Sequence, residues 1–209
     1  MPLLSSDLSF PDPAKAIKEG VVAIGGDLSI ERLLLAYKSG IFPWYSEEEP
    51  LIWWSPDPRF ILELDEFKLR KSLRKKLSSF EVKYNTAFED VIEECSKIDR
   101  PGQKGKWLHE EMVKAYKELH TLGYAVSVES YQNKELVGGL YGIIIGRVFC
   151  GESMFSKVSD ASKVAFNFLV EKLKKENFDF IDAQVYTDHL NSLGAKEISR
   201  DEFLKRIKG

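Results

Sequence analysis

The sequence predicts an α+β fold in which a mixed, mainly antiparallel sheet is flanked by helices. Helical patterns dominate residues 61–123, and three strand patterns then follow one another without an intervening helix. A long helix and a further strand complete the order, which differs from the repeated βαβ order of parallel sheets. With 209 residues, of which 44% are hydrophobic, the chain can bury a core without disulfides or metals.

The first sixty residues differ from the rest because they are rich in Pro, Gly and Trp and poor in periodic pattern. One helix is clear: it follows Ser29 as N-cap and ends at Gly40. We therefore expect a small N-terminal domain over residues 1–60 and a larger domain over residues 61–209.

The next segment carries helical and strand patterns in turn. Leu69, Leu73 and Leu77 recur every fourth residue and predict a helix whose solvent face is basic. Thr86 and Glu89 form a capping box that predicts the start of another helix. The remaining predictions are a strand at residues 80–84, a loop at 100–105 and a helix at 109–119.

The second half predicts a three-stranded meander, with strands near residues 124–130, 135–145 and 148–155. A helix capped by Ser159 or Asp160 and a strand near residues 178–185 follow, and Ser199 with Glu202 opens a terminal helix. Meander, helix and strand in this order are typical of the acetyltransferase-like (GNAT) fold, an analogy that concerns the fold alone.

Composition and charge exclude several classes of protein. No run reaches the roughly 18 apolar residues of a membrane span, and no secretory signal pattern is present. Two cysteines, Cys95 and Cys150, cannot form a disulfide framework, so we expect a reducing cytoplasm. The three histidines lack metal-ligand spacing, and we expect neither a metal nor a cofactor.

Polar residues interrupt two apolar strand patterns. Asp182 and Gln184 are two residues apart, so a regular strand would turn both side chains to one face. Burying them without partners would be costly, which suggests a functional role. The alternative is that the strand lies at the sheet edge and that this face is solvated; spacing alone leaves the two readings even. The second polar stretch is GESMFS, residues 151–156.

Six cations without an intervening acid lie in residues 68–76, although the formal net charge is −3. A solvated helix face is the alternative reading, but a face of one sign favours contact with nucleic-acid phosphates. The cations are Lys68, Arg70, Lys71, Arg74, Lys75 and Lys76. Tryptophans in Pro/Gly-rich loops are either core anchors or walls of a pocket or stacking platform.

Four blocks of sequence carry a family resemblance: GVVAIGGDLSIERLLLAYKSGIFPWY, LIWWSPDPRF, GGLYGIIIGRVFCGESMFS and IDAQVYTDHLNSLGAKEISRDEF. They occur in order along nearly the whole chain, which resembles the bacterial leucyl/phenylalanyl-tRNA–protein transferases. The resemblance implies a small N-terminal domain and a GNAT-like C-terminal domain that uses aminoacyl-tRNA. It implies transfer of Leu or Phe, and Met less well, to proteins with N-terminal Arg or Lys, which marks them for N-end-rule degradation.

The resemblance also implies a site. Catalysis is assigned to Asp182 and Gln184, and the donor side chain to an apolar pocket near the GESMF segment. The matching pocket and acceptor residues are Trp53, Trp54, Trp107, Leu140, Glu152, Met154, Phe155, Leu169 and Leu173. We expect a monomer that has aminoacyl-tRNA and acceptor protein as partners and no membrane partner.

Two other functions remain open from sequence. An acyl-CoA-dependent N-acetyltransferase would need a Gly-rich turn before the helix that follows the meander, and that junction, MFSKVSDASK, contains no glycine. A non-catalytic RNA-binding module would explain the basic segment but gives Asp182 and Gln184 no role. For the transferase, our hypothesis is that the Gln184 carbonyl accepts a hydrogen bond from the attacking amine while Asp182 holds the amide.

Overall fold

A computed structural model describes residues 2–98 and 107–208, and the loop predicted at residues 100–105 lies outside this part of the chain. A small sheet contains four short strands in the order β1-β2-β4-β3. They are Leu3–Leu4 (β1), Val21–Gly25 (β2), Phe42–Pro43 (β3) and Ile52–Trp54 (β4), with helix α1 at Ile30–Lys38 between β2 and β3.

A seven-stranded sheet forms the centre of the molecule, in the order β11-β5-β10-β9-β8-β7-β6. Its strands are Arg59–Glu63 (β5), Glu81–Tyr84 (β6), Ala125–Gln132 (β7), Glu135–Ile145 (β8), Val148–Ser156 (β9), Phe180–Gln184 (β10) and Lys196–Ile198 (β11). Only β9 and β10 run parallel, since the long helix α5 (Ala161–Lys175) connects them. The predicted α+β class, with a mixed, mainly antiparallel sheet and the GNAT-like order, is confirmed. Strand β5 spans residue 60, where the predicted domain boundary lies.

Helices cover both faces of this sheet. Helix α5 packs on one face with an apolar cluster that includes Phe60, Leu140 and Phe149. The other face is covered by α1, α3 (Phe88–Ser96) and α4 (Glu110–Thr121), with the terminal helix α7 (Arg200–Ile207) joining the same cluster. The short helices α2 (Lys71–Arg74) and α6 (Asp188–Ser192) lie in connections. No helix within residues 2–98 and 107–208 is long and apolar enough to cross a membrane.

The strand that carries Asp182 and Gln184 is central rather than peripheral. β10 lies between β5 and β9, so the reading of a solvated edge strand is wrong. A central strand buries polar side chains only when they have partners. The partners of these two residues therefore determine what the strand does.

The basic segment is not the continuous helix that the leucine spacing predicted. Only Lys71–Arg74 is helical, and a 3₁₀ turn follows at Leu77–Ser79. The predicted helix would pair Arg70 with Arg74 and Lys71 with Lys75 at i,i+4, and like charges at this spacing destabilise a helix. All six cations are exposed, and Lys76 forms a 2.6 Å ion pair with Asp160.

Of the two predicted capping boxes, the first is wrong and the second is present in part. Ser199 caps α7 by accepting a hydrogen bond from the Glu202 N–H at 3.1 Å. Helix α3 instead has Ala87 as N-cap, and the Thr86 hydroxyl donates to Glu129 at 3.0 Å. Glu129 is fully buried on β7 and also accepts from the Ala87 N–H. A carboxylate distant in sequence has therefore replaced the local cap.

Candidate active site

A cavity of about 280 Å³ lies where the parallel strands β9 and β10 meet, between α5 and α6. Its wall is mainly apolar and comprises Leu62, Leu140, Phe149, Met154, Phe166 and Ile181, among others. Its polar lining comprises Glu152, Ser153, Gln184, Thr187 and His189. An apolar cavity with a few converging polar groups is the usual form of a small-ligand site.

Two β-bulges shape the polar part of this cavity. Glu152 has no partner on β8, because Tyr141 pairs with Ser153 and Gly142 with Gly151. On β10 the register against β5 shifts between Asp182 and Gln184. Bulges redirect side chains and are common beside active sites. Here they lie on adjacent strands and bring Glu152 and Gln184 together.

The bulge on β10 overturns the prediction that Asp182 and Gln184 face the same way. Gln184 has a φ of +64°, a left-handed conformation that is uncommon for a residue other than glycine. Gln184 lines the cavity, whereas Asp182 is fully buried and contacts Arg59. Strand periodicity fails here because the backbone leaves the regular strand conformation between the two residues.

Asp182 is held by a buried guanidinium. Arg59 donates to it through Nε at 2.8 Å and through Nη2 at 2.6 Å, and both side chains are 1% exposed. The guanidinium also donates to the Gly40 carbonyl at 3.2 Å and lies over the rings of Phe42 and Phe203. Asp182 in turn accepts the Gln184 backbone N–H at 3.0 Å. The prediction that Asp182 holds the Gln184 side-chain amide is therefore wrong, since it holds the backbone of the bulge.

Glu152 holds that amide instead. Its Oε1 accepts from Gln184 Nε2 at 2.8 Å, and its Oε2 accepts from the Tyr116 hydroxyl at 2.9 Å. The Tyr37 and Tyr116 hydroxyls are 2.7 Å apart, so the chain of contacts extends to α1. Burial raises the pKa of Glu152 to about 7, although the hydrogen bonds from Tyr116 and Gln184 act in the opposite direction. No hydrogen bond within the described residues engages Oε1 of Gln184, so this carbonyl oxygen can accept one from a ligand.

His189 supplies a polar group on α6. The Thr187 hydroxyl caps this helix by accepting from the Leu190 N–H at 3.2 Å. Burial lowers the pKa of His189, and the positive charges of Lys163 and Arg70 lower it further. The imidazole is therefore neutral near pH 7. Arg70 belongs to the basic segment, which places one end of that segment beside the cavity.

The structure separates the predicted pocket residues into two sets. Leu140, Glu152, Met154 and Gln184 line the cavity. The prediction is corrected for the others, which do not line it: Trp53, Trp54, Trp107, Phe155, Leu169 and Leu173. Leu169 and Leu173 are buried in the cluster that forms the cavity wall, and Phe155 points to the opposite side of the sheet.

The tryptophans serve the packing of the N-terminal part. Trp53 is fully buried, donates to the Gly25 carbonyl at 2.9 Å and meets Phe10 edge-on. Trp54 donates to the Trp44 carbonyl at 2.6 Å. Trp107 packs against the same core cluster. The reading as core anchors describes them better than the reading as a pocket wall.

Sequence reasoning missed Arg59, Tyr37, Tyr116 and His189 as parts of the site. Arg59 stands in the WWSPDPR block but pairs with a residue 123 positions away, and no local pattern reports such a contact. His189 was considered only as a metal ligand. Within the described residues, no group of three or more His, Cys, Asp or Glu could hold a metal ion.

Comparisons with known proteins agree on one family. The sequence model described as leucyl/phenylalanyl-tRNA protein transferase matches residues 61–208, and that of its N-terminal domain matches residues 26–57. A leucyl/phenylalanyl-tRNA–protein transferase of Flavobacterium johnsoniae is 58% identical over 207 residues, covering 98% of each chain. One of Sulfurimonas denitrificans is 55% identical, covering 98% of this chain and 90% of the relative. Among solved structures, L-PGS from Bacillus licheniformis is 14% identical with a TM-score of 0.42, covering 82% of this chain and 57% of that one.

Proposed function

The chain belongs to the leucyl/phenylalanyl-tRNA–protein transferase family, and from this premise we propose how its site transfers the amino acid and to which acceptors. It is an aminoacyltransferase that moves Leu or Phe from aminoacyl-tRNA to a protein. We propose that the acceptors begin with Arg or Lys, that Met is transferred less well, and that the product enters N-end-rule degradation. We further propose that the enzyme acts as a monomer in the cytoplasm.

The donor side chain occupies the apolar cavity. Leu140, Met154 and Phe166 offer it an apolar wall, and an unbranched Cβ suits a narrow entrance. One misplaced methyl group is worth about 1–3 kcal/mol, so discrimination against Ile and Val is modest. The ester then lies close to Gln184, which lines the same cavity.

The reaction is aminolysis of an ester. The acceptor nitrogen forms a bond with the ester carbonyl carbon, the bond from that carbon to the ribose oxygen breaks, and a proton moves from the nitrogen to the departing oxygen. An α-amino group has a pKa of about 7.7–8.0, so roughly a tenth of it is already neutral at pH 7. Correct placement of two reactants can lower a barrier by about 7–11 kcal/mol. Placement therefore supplies most of the acceleration.

Three side chains divide the work of placement and proton transfer. The Gln184 carbonyl accepts a hydrogen bond from the attacking amine, since an amide is too weakly basic to take its proton. Glu152 fixes the Gln184 amide and, with its pKa near 7, is matched to receive that proton. Asp182 is a positioning residue, because its contacts are with Arg59 and the Gln184 backbone.

One observation carries this proposal: Gln184 enters an apolar cavity with its Nε2 bound to Glu152 at 2.8 Å and its carbonyl oxygen available. An acyl-CoA-dependent activity fits less well. Asp160 stands at the N-terminus of α5, and hydrogen bonds from Lys76 and Lys163 lower its pKa to about 2. A fixed negative charge there opposes the binding of a diphosphate.

A transfer assay tests the proposed function. Labelled Leu-tRNA or labelled acetyl-CoA is offered together with a protein that begins with Arg, and the same protein beginning with Ser is the control. We expect acid-insoluble label only from Leu-tRNA with the Arg protein. Label from acetyl-CoA would support an acetyltransferase, whereas tRNA binding without transfer would support an RNA-binding module.

The exposed basic segment is proposed to contact tRNA phosphates. Neutralising Arg70, Lys71, Arg74 and Lys75 to Gln should weaken binding of every tRNA similarly and lower the salt dependence, by a slope of about 0.9 or less per lost contact. The matched control replaces four exposed lysines elsewhere: Lys15, Lys18, Lys38 and Lys205. Binding curves at several salt concentrations measure both effects. A loss restricted to one isoacceptor would contradict a role in phosphate contact.

A further inference from the structure

His189 stands out among the polar groups of the cavity, because its Nε2 is buried and has no hydrogen-bond partner within the described residues. Buried polar atoms in folded proteins nearly always have a partner, and exceptions call for an explanation. His189 lines the same cavity as Gln184 but lies on a different element, α6. It is therefore placed to contact a ligand at a point distinct from the Glu152–Gln184 pair.

The charges around His189 restrict the chemistry of that ligand. Lys163 on α5 and Arg70 in the basic segment both act electrostatically on the imidazole. An ammonium group, from either the donor amino acid or the acceptor protein, would be repelled there. A Leu or Phe side chain has no polar atom to offer. The remaining polar group close to the ester is the sugar to which the amino acid is attached.

We propose that His189 hydrogen-bonds the free hydroxyl of the terminal ribose of aminoacyl-tRNA, the hydroxyl next to the esterified oxygen. A hydroxyl can donate and accept, so it suits a neutral imidazole in either tautomer. Arg70 and Lys163 are then close to the neighbouring phosphate. This inference rests on the proposed function and adds to it a contact that distinguishes a ribose from a deoxyribose end.

The test combines a change in the enzyme with the matching change in the substrate. Leu is esterified to the 3′ oxygen of tRNA that ends in adenosine or in 2′-deoxyadenosine, and kcat/KM is measured for wild type and His189→Ala. We expect about a tenfold loss for His189→Ala on the ribose substrate. We expect a similar loss for wild type on the deoxyribose substrate, and no further loss when both changes are combined.

Multiplying losses would overturn the inference, as would equal use of both substrates by the wild type. If the wild type transfers Leu from neither substrate to a protein beginning with Arg, the proposed function itself fails, which is a separate result. His189→Gln keeps a donor and an acceptor and should retain more ribose preference than His189→Ala. It also replaces His189→Ala if that variant does not fold.

A binding measurement gives a readout that does not depend on turnover. Leucine linked to 3′-amino-3′-deoxyadenosine by an amide keeps the 2′-hydroxyl and cannot transfer, and its 2′,3′-dideoxy counterpart lacks that hydroxyl. In ¹⁵N spectra of the imidazoles, we expect the Nε2 resonance of His189 to shift with the first compound more than with the second. Equal shifts with both would overturn the inference.

Discussion

Two buried carboxyl groups flank the Gln184 backbone and side chain, and their surroundings differ in kind. Asp182 is paired with a guanidinium that two aromatic rings and a carbonyl hold in place. Glu152 has hydrogen-bond donors that are neutral, a phenol and an amide, and burial raises its pKa to about 7. A carboxylate neutralised by a fixed cation stabilises a structure, whereas one held by neutral donors keeps a proton exchangeable near neutral pH.

The largest effect is expected from breaking the Asp182 pair. Asp182→Ala leaves the Arg59 guanidinium buried without its counter-ion, which should destabilise the fold by about 3–5 kcal/mol. Glu152→Gln is the matched control, since an amide can still accept from Tyr116 and Gln184, and it should change stability by less than about 1 kcal/mol. Urea unfolding of both variants measures the difference. Equal losses would show that the two carboxyl groups do not differ in role.

The next effect concerns Gln184, which both carboxyl groups hold. Gln184→Ala removes the carbonyl that receives the amine and should lower kcat by about 100-fold, with little change in the affinity for Leu-tRNA. Gln184→Glu keeps an acceptor oxygen but places a carboxyl group against Glu152, and the two cannot both ionise easily. It should therefore exceed Gln184→Ala at pH 6 and lose this advantage as pH rises. Lost tRNA binding in either variant would contradict this role.

Glu152→Gln should have a smaller effect on rate, about tenfold, and one that depends on pH. The form that accepts a proton is the carboxylate, which prevails above the pKa of about 7. The ratio of wild-type to variant rate should therefore rise as pH increases through 7, whereas titration of the acceptor amine affects both enzymes alike. A ratio that stays constant from pH 5.5 to 8.5 would exclude Glu152 as the proton acceptor.

The same carboxyl group should affect stability with the opposite sign. Its folded pKa lies above its ordinary value, so its contribution to stability is present at low pH and is lost as pH rises through about 7. Thermal unfolding of wild type and Glu152→Gln between pH 5 and 8 should show this loss in the wild type alone. Asp182 stays paired with Arg59 in both proteins and does not contribute to the difference.

The smallest effect is expected at the far end of the hydrogen-bond chain. Tyr37→Phe removes the hydroxyl that lies 2.7 Å from the Tyr116 hydroxyl but leaves the bond from Tyr116 to Glu152 intact. Because a hydrogen bond from Tyr37 lowers the pKa of Glu152, the variant should move the midpoint of the rate profile to higher pH. The rate at pH 7 should fall about two- to threefold. Tyr124→Phe, at an exposed position, is the control and should change neither quantity.

Local patterns predicted much of the fold and part of the site. The strands of the meander, helix α5 and the cap at Ser199 follow from residue spacing over a few positions. Leu140, Met154 and Gln184 were placed near one another because the GESMF and DAQ segments resemble a family. These are features that neighbouring residues determine, or that a family resemblance already carries.

The remaining features depend on contacts between distant parts of the chain. Whether a bulge falls at Glu152 depends on the register of β8, and the pairing of Arg59 with Asp182 depends on β5 lying beside β10. Thr86 likewise bonds Glu129 on another strand rather than a residue of its own helix. Spacing within one segment contains no information about such partners.

The clamp around Arg59 has a consequence for inheritance. Its guanidinium is gripped by Gly40 and Phe42 from the first sixty residues and by Phe203 from the last ten. A chimaera that joins the beginning of one relative to the remainder of another will keep a correctly built centre only if both parents supply rings of compatible size on either side of that cation. Residues so far apart in the gene are thus expected to change in concert as the lineage diverges.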